Sequence, residues 1–301
     1  MKRIVTSLLL IVCLNLLFAQ QQALITHYMY NGLIYNPAVS GTEKVFSVDL
    51  NTRRQWVGIK EAPITQTISA HSLLDKTFGA GGFIFNQVTG PTRRTGLSIS
   101  SAYHLDLSKT KFSDAKLSFG LAFSLSQFTV DRTQLITRIN NDPAVEQSFN
   151  NLLSPDASFG LYYFAPNYYM GFSALNLIQS KVDLLNSDPN TNTVVRNYYL
   201  TAGGNVEIQK DISLSPSLLF QMIESLPYQI DVSLLGWYKE MVSFGISYRN
   251  NDAICGMLGY KNKTLRIGYS YDYGVSDLNS FNSGSHEISM TLFLSKSKFF
   301  R

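Results

Sequence analysis

The chain has 301 residues and a formal net charge of +4, length enough for one large domain or two small ones. Charged residues make up only 15% of it, against ~25% in soluble domains, while aromatics reach 13%, most of them Tyr and Phe. A mean hydropathy of +0.00 is too low for a bundle of spanning helices, and the small charge gives no basis for a nucleic-acid partner, so the balance points to strands in lipid.

Residues 1–19 read as a secretory signal. Lys2 and Arg3 form a positive start, an apolar run covers 4–18, and cleavage is expected after Ala19. Its removal leaves a charge of about +2 (4 − 2) and Cys255 as the one remaining cysteine, so neither a disulfide nor a cysteine-held metal is expected. Residues 20–44 follow and are not strand-like. They are rich in aromatics, which disordered leaders lack, and Asn36-Pro37 and Gly41 mark turns. Tyr28, Tyr30, Tyr35, Asn36, Pro37 and Gly41 are the candidate residues of a plug or docking segment. The expected position is the half of the barrel from which the first strand starts, with Asn36-Pro37 turning the chain back out.

Alternation begins next and recurs across 45–295. Successive strand side chains point to opposite faces, and Phe46, Val48 and Leu50 oppose Ser47, Asp49, Asn51 and Arg53. Strands are expected at about 64–72, 80–88 and 97–105. The clearest stretch is 116–126, where Leu117, Phe119, Leu121, Phe123 and Leu125 alternate with Ser118, Gly120, Ala122, Ser124 and Ser126. Further strands are expected at 156–164, 168–175, 198–206, 213–222, 229–237, 242–249, 253–260, 264–272 and 286–294, leaving a short tail at 296–301. That makes about fourteen, an even number, as bacterial barrels have. The long connections, 129–155, 176–197 and 273–285, all follow odd strands, and the tightest, 165–167, 238–241 and 261–263, all follow even ones. Short turns at one end and long loops at the other are a barrel property that a soluble sandwich has no reason to share. The predicted fold is therefore all-β: a transmembrane antiparallel β-barrel of about fourteen strands in the outer membrane, with a non-strand N-terminal segment as plug.

No catalytic constellation stands out. The four histidines, His27, His71, His104 and His286, all have serines near them by chance alone. The run Gly79-Ala80-Gly81-Gly82 lacks phosphate-loop spacing and reads as a turn and bulge. No cofactor, metal or enzymatic activity is expected. On the polar face Asp49, Arg53, Asp231, Arg266, Asp272 and Glu287 form a candidate lumenal charge network, either neutralising itself and holding a plug or lining a path for a charged solute.

Several segments in order resemble the PorP/SprF family of the type IX secretion system of Bacteroidota: residues 28–41, Arg54-Gln55-Trp56, 62–66, 81–87, 155–162, 171–177, 269–273 and 284–288. The resemblance implies a non-enzymatic outer-membrane barrel that supports export or surface attachment of large secreted proteins such as gliding adhesins. It implies membrane lipid, periplasmic components of the machine and a large surface-protein cargo as partners. The alternative is an outer-membrane channel for a small solute or hydrophobic ligand.

Overall fold

The structure, a computed structural model, describes residues 25–43, 45–107, 114–131, 133, 135, 151–182, 193–224 and 226–294. The expected signal at 1–19, the tail at 296–301 and the middle of the two longest loops lie outside the described residues.

The strands are β1 (Phe46–Arg54), β2 (Ile64–Leu73), β3 (Phe78–Thr89), β4 (Thr92–Asp106), β5 (Lys116–Val130), β6 (Asn151–Ala165), β7 (Tyr168–Leu175), β8 in two pieces (Asn197–Gly204 and Val206–Gln209), β9 (Ile212–Ile223), β10 (Gln229–Tyr238), β11 (Val242–Arg249), β12 (Ala253–Lys261), β13 (Leu265–Gly274) and β14 (Ser285–Leu294). Each pairs antiparallel with its chain neighbour, and β1 closes the ring on β14, from Phe46↔Leu294 to Arg54↔His286. The fourteen-strand closed barrel follows from the alternation, since closure leaves no strand edge unpaired in lipid.

The two faces are inverted relative to a soluble protein. On β5, Leu121 is 64% and Phe123 57% exposed, while Ser118 is fully buried. The greasy row faces lipid and the small polar row faces the lumen. Outward tyrosines mark both ends of the apolar band. Tyr103, Tyr168, Tyr238 and Tyr260 lie near the short turns, and Tyr228, Tyr248 and Tyr273 near the long loops. Such aromatic girdles sit at membrane–water interfaces.

Two readings of the sequence are corrected. Strands β4, β5 and β6 run fifteen residues each, past the ~9–11 that span a bilayer. Residues 129–130 and 151–155 are therefore strand rather than loop, because pairing continues beyond the apolar band, from Leu125↔Pro155 to Thr129↔Asn151. The Gly79-Ala80-Gly81-Gly82 run is no turn or bulge. It pairs in unbroken register inside β3, and Gly79 and Gly81 answer a close approach from inside the barrel, by Ser40 and Leu33.

Candidate functional site in the barrel lumen

Residues 25–41 lie against the inward-facing rows of the wall. They hold two short 3-10 turns, Gly32–Ile34 and Pro37–Val39. Asn36 caps the second, its Oδ1 accepting from Ala38 N at 2.9 Å, while its Nδ2 donates to Leu161 O at 2.9 Å and Phe172 O at 3.3 Å on β6 and β7. Wall glycines permit this contact. A Cβ on Gly160 would lie 1.9 Å from Asn36 Oδ1, and one on Gly120 would lie 2.1 Å from Ala38 N. Pro37 sits beside the same two glycines. Ser118 Oγ donates to Ala38 O at 2.7 Å, and Ser40 Oγ meets Ser100 Oγ at 2.7 Å.

The segment leaves the lumen at Gly41, whose φ of +80° and closeness to Gly79 both require glycine. Gly41 N donates to His71 Nδ1 at 3.1 Å, and His104 Nε2 donates to Ser40 O at 3.0 Å. The two histidines, on alternate strands, thus hold one stretch of backbone.

The tyrosines bury rings and find partners, as a phenol in an apolar place must. Tyr28 donates to Ser217 Oγ at 3.0 Å, and burial pushes its phenol up to about 12. Tyr35 Oη accepts from Ile25 N at 3.1 Å, and its ring meets Tyr199 edge-on at 5.2 Å. With Ile25, Ile34, Leu175 and Leu219 these rings form a small apolar core inside the barrel. Tyr30 lies under the Arg266 guanidinium, 4.2 Å from the ring centroid, and stacks on His27 at 5.0 Å.

Thr26 and His27 meet the charged residues near the long-loop end. Glu287, fully buried, accepts from Thr26 N (2.7 Å), His27 N (3.0 Å), His27 Nδ1 (3.0 Å), Asn51 Nδ2 (3.0 Å) and Arg53 Nη1 (3.3 Å). Arg53 Nη2 donates to Asp272 Oδ2 at 2.6 Å. Thr26 Oγ1 accepts from Arg53 Nη1 at 2.9 Å and donates to Asp272. Arg249 bridges Asp231 (2.7 Å), Asp252 (3.1 Å) and Asp272 (3.3 Å).

All six candidate charges face inward, but as two groups. Arg53, Asp231, Asp272 and Glu287 belong to the upper cluster. Arg266 and Asp49 stand apart near the short-turn end, 3.9 Å from each other and joined through Thr291. The sequence reading missed Arg249, His27 and Asp252 as members. Register was the available signal for the first, since Arg249 lies directly opposite Asp231. The segment also reaches further than expected. Residues 36–41 occupy the half where β1 starts, but residues 26–27 climb to the level of Arg53, because the bonding partners of their amides stand there.

The family model described as type IX secretion system membrane protein PorP/SprF matches residues 17–292. A search among curated protein sequences returns no match. Among solved structures, the chain is similar to a Pseudomonas aeruginosa FadL homologue at 10% identity and a TM-score of 0.50, over 86% of this chain and 92% of that one. It is also similar to the CymD monoaromatic hydrocarbon channel (12%, TM-score 0.49, 88% and 92%) and to the Acinetobacter baumannii outer membrane protein Omp33 (10%, TM-score 0.46, 85% and 100%). At these identities the likeness concerns the barrel fold alone.

Proposed function

The chain belongs to the PorP/SprF family of type IX secretion system membrane proteins, and on that premise we propose that it is a non-catalytic docking barrel, its lumen sealed by its own N-terminal segment. It is an outer-membrane barrel, so by the usual arrangement the short turns face the periplasm and the long loops the outside. In this reading periplasmic components of the machine engage the short-turn end, and the loops after β5 and β7 meet a large exported surface protein.

The bonds between residues 25–41 and the inner wall support the proposal. Residues 25–41 bond to inward groups on β1, β2, β4, β5, β6, β7, β9, β13 and β14. A solute pore wants the opposite: a continuous wetted path with binding weak enough to let the solute leave. The test is complementation of a strain lacking the gene by the full chain and by a form lacking residues 20–41. The truncated barrel is expected to insert, shown by heat-modifiable migration, yet to fail in secretion. Pull-down of the full chain from native membranes is expected to recover secretion-system subunits. A truncation fully competent for secretion would refute the role given to the segment.

A further inference from the structure

Arg53, Arg249 and Arg266 each reach a carboxylate within 4.0 Å in the lumen. Arg94 on β4 does not. Among the described residues no carboxylate comes that close to it. Its guanidinium is held between the faces of Phe85 (5.1 Å) and Phe128 (5.0 Å), and Nη2 donates to Ser126 Oγ at 3.3 Å. Nε is buried and unpartnered. Asp156 on β6, the carboxylate whose charge acts on it, turns Oδ1 to the backbone amides of Ala157 and Ile178, and its Oδ2 is buried without a partner. A guanidinium fixed by two rings is set up to receive an anion on the part of its fork that faces the cavity, because stacking orients the fork.

Arg94 lines a cavity on the long-loop side of the segment, whose floor includes Ile25, Leu33 and Ile34 and whose wall includes Phe83 and Ser158. It offers about 70 Å³ to water-sized groups, room for roughly five to seven at ~10–15 Å³ each. We infer that this cavity binds a short-chain carboxylate, its carboxylate on the Arg94 fork and its aliphatic body against Leu33, Ile34 and Phe83. Charge-assisted paired hydrogen bonds to a guanidinium are among the strongest polar contacts. The space admits an aliphatic body as small as that of butyrate, and the apolar floor disfavours inorganic phosphate. This binding site is separate from the docking role and does not depend on it.

The test is calorimetric titration of the detergent-purified full chain with butyrate and with neutral butyramide. Butyrate is expected to bind saturably and butyramide at least about tenfold more weakly. Arg94→Gln is expected to lose at least about tenfold in butyrate affinity. Ala122→Leu, which fills the cavity and keeps the arginine, is expected to lose binding as well, and heat-modifiable migration checks that both variants fold. Absence of saturable butyrate binding to the unaltered protein, equal binding of butyramide, or undiminished binding to Arg94→Gln would each overturn the assignment. Secretion and conductance of Arg94→Gln are expected to be unchanged, so failure here is distinguishable from failure of the docking proposal.

Discussion

The seating of the segment on wall glycines can be tested with single methyl groups. In Gly120→Ala the new Cβ would stand 2.1 Å from Ala38 N and 2.4 Å from Ala38 Cα, against an ordinary contact of about 3.5–4.0 Å. Backbone stands on both sides, so no rotamer change relieves it. Overpacking of this kind costs about 1–3 kcal/mol. Opposing release are six hydrogen bonds, Asn36–Leu161, Asn36–Phe172, Ser118–Ala38, Ser40–Ser100, His104–Ser40 and Gly41–His71, together worth about 6 kcal/mol at ~1 each. One methyl therefore strains the segment without ejecting it. Adding Gly160→Ala, aimed at Asn36 Oδ1 from 1.9 Å, doubles the strain to about 2–6 kcal/mol, comparable at its upper end with what holds residues 36–41. Hydrogen exchange reads this directly, because the amides of Ala38, Val39, Ser40, Gly41 and Thr42 are all bonded. They are expected to exchange about 5- to 150-fold faster in Gly120→Ala, the equivalent of about 1–3 kcal/mol, and to lose protection in the double variant. Gly256→Ala, where nothing lies within 4 Å of the new Cβ, is the control. The reasoning fails if Gly120→Ala exchanges like that control.

Glu287→Gln keeps the shape of the hub but removes the charge facing Arg53 and two segment amides. Breaking a buried pair leaves an uncompensated charge and costs about 3–5 kcal/mol, so the temperature of heat-modifiable unfolding is expected to fall, and an unchanged value would contradict the hub role. Leu121→Arg places a charge in the lipid band and is expected to cost about 2–4 kcal/mol. Ser118→Arg, although lumenal, is expected to be just as damaging, because Ser118 is fully buried against Ala38. Ser124→Arg opens onto the cavity and is expected to be the mildest of the three; equal loss of folding yield across them would refute the assigned faces and filling.

The wall was legible because each inward residue between two outward ones repeats one local rule, and rows such as Leu117–Leu125 state it without exception. Strand ends on β4–β6 were not, because the alternation of apolar and polar residues ends where the strands leave the lipid while the hydrogen-bond ladder goes on. The glycines of β3 misled for a related reason: a glycine that makes room for another backbone looks, in one dimension, like one that makes a turn. The tyrosines of residues 28–35 led to the expectation of a packed segment, and Tyr28 and Tyr35 are buried in the structure. Its climb to Glu287 was hidden, since Thr26 and His27 carry no local sign of the carboxylates they meet more than two hundred residues on. The grouping of charges needed register as well as face, which is why Arg266 and Asp49 fell out of the upper cluster and Arg249 entered it.

The central claim is that this barrel carries no solute because its own residues 25–41 fill it. Single-channel recording in planar bilayers, comparing the full chain with the form lacking residues 20–41, tests that most directly. The account predicts a silent full-length barrel and a truncated one that conducts steadily. A full-length barrel with stable open-channel current, or a truncated barrel that stays electrically tight, would contradict it.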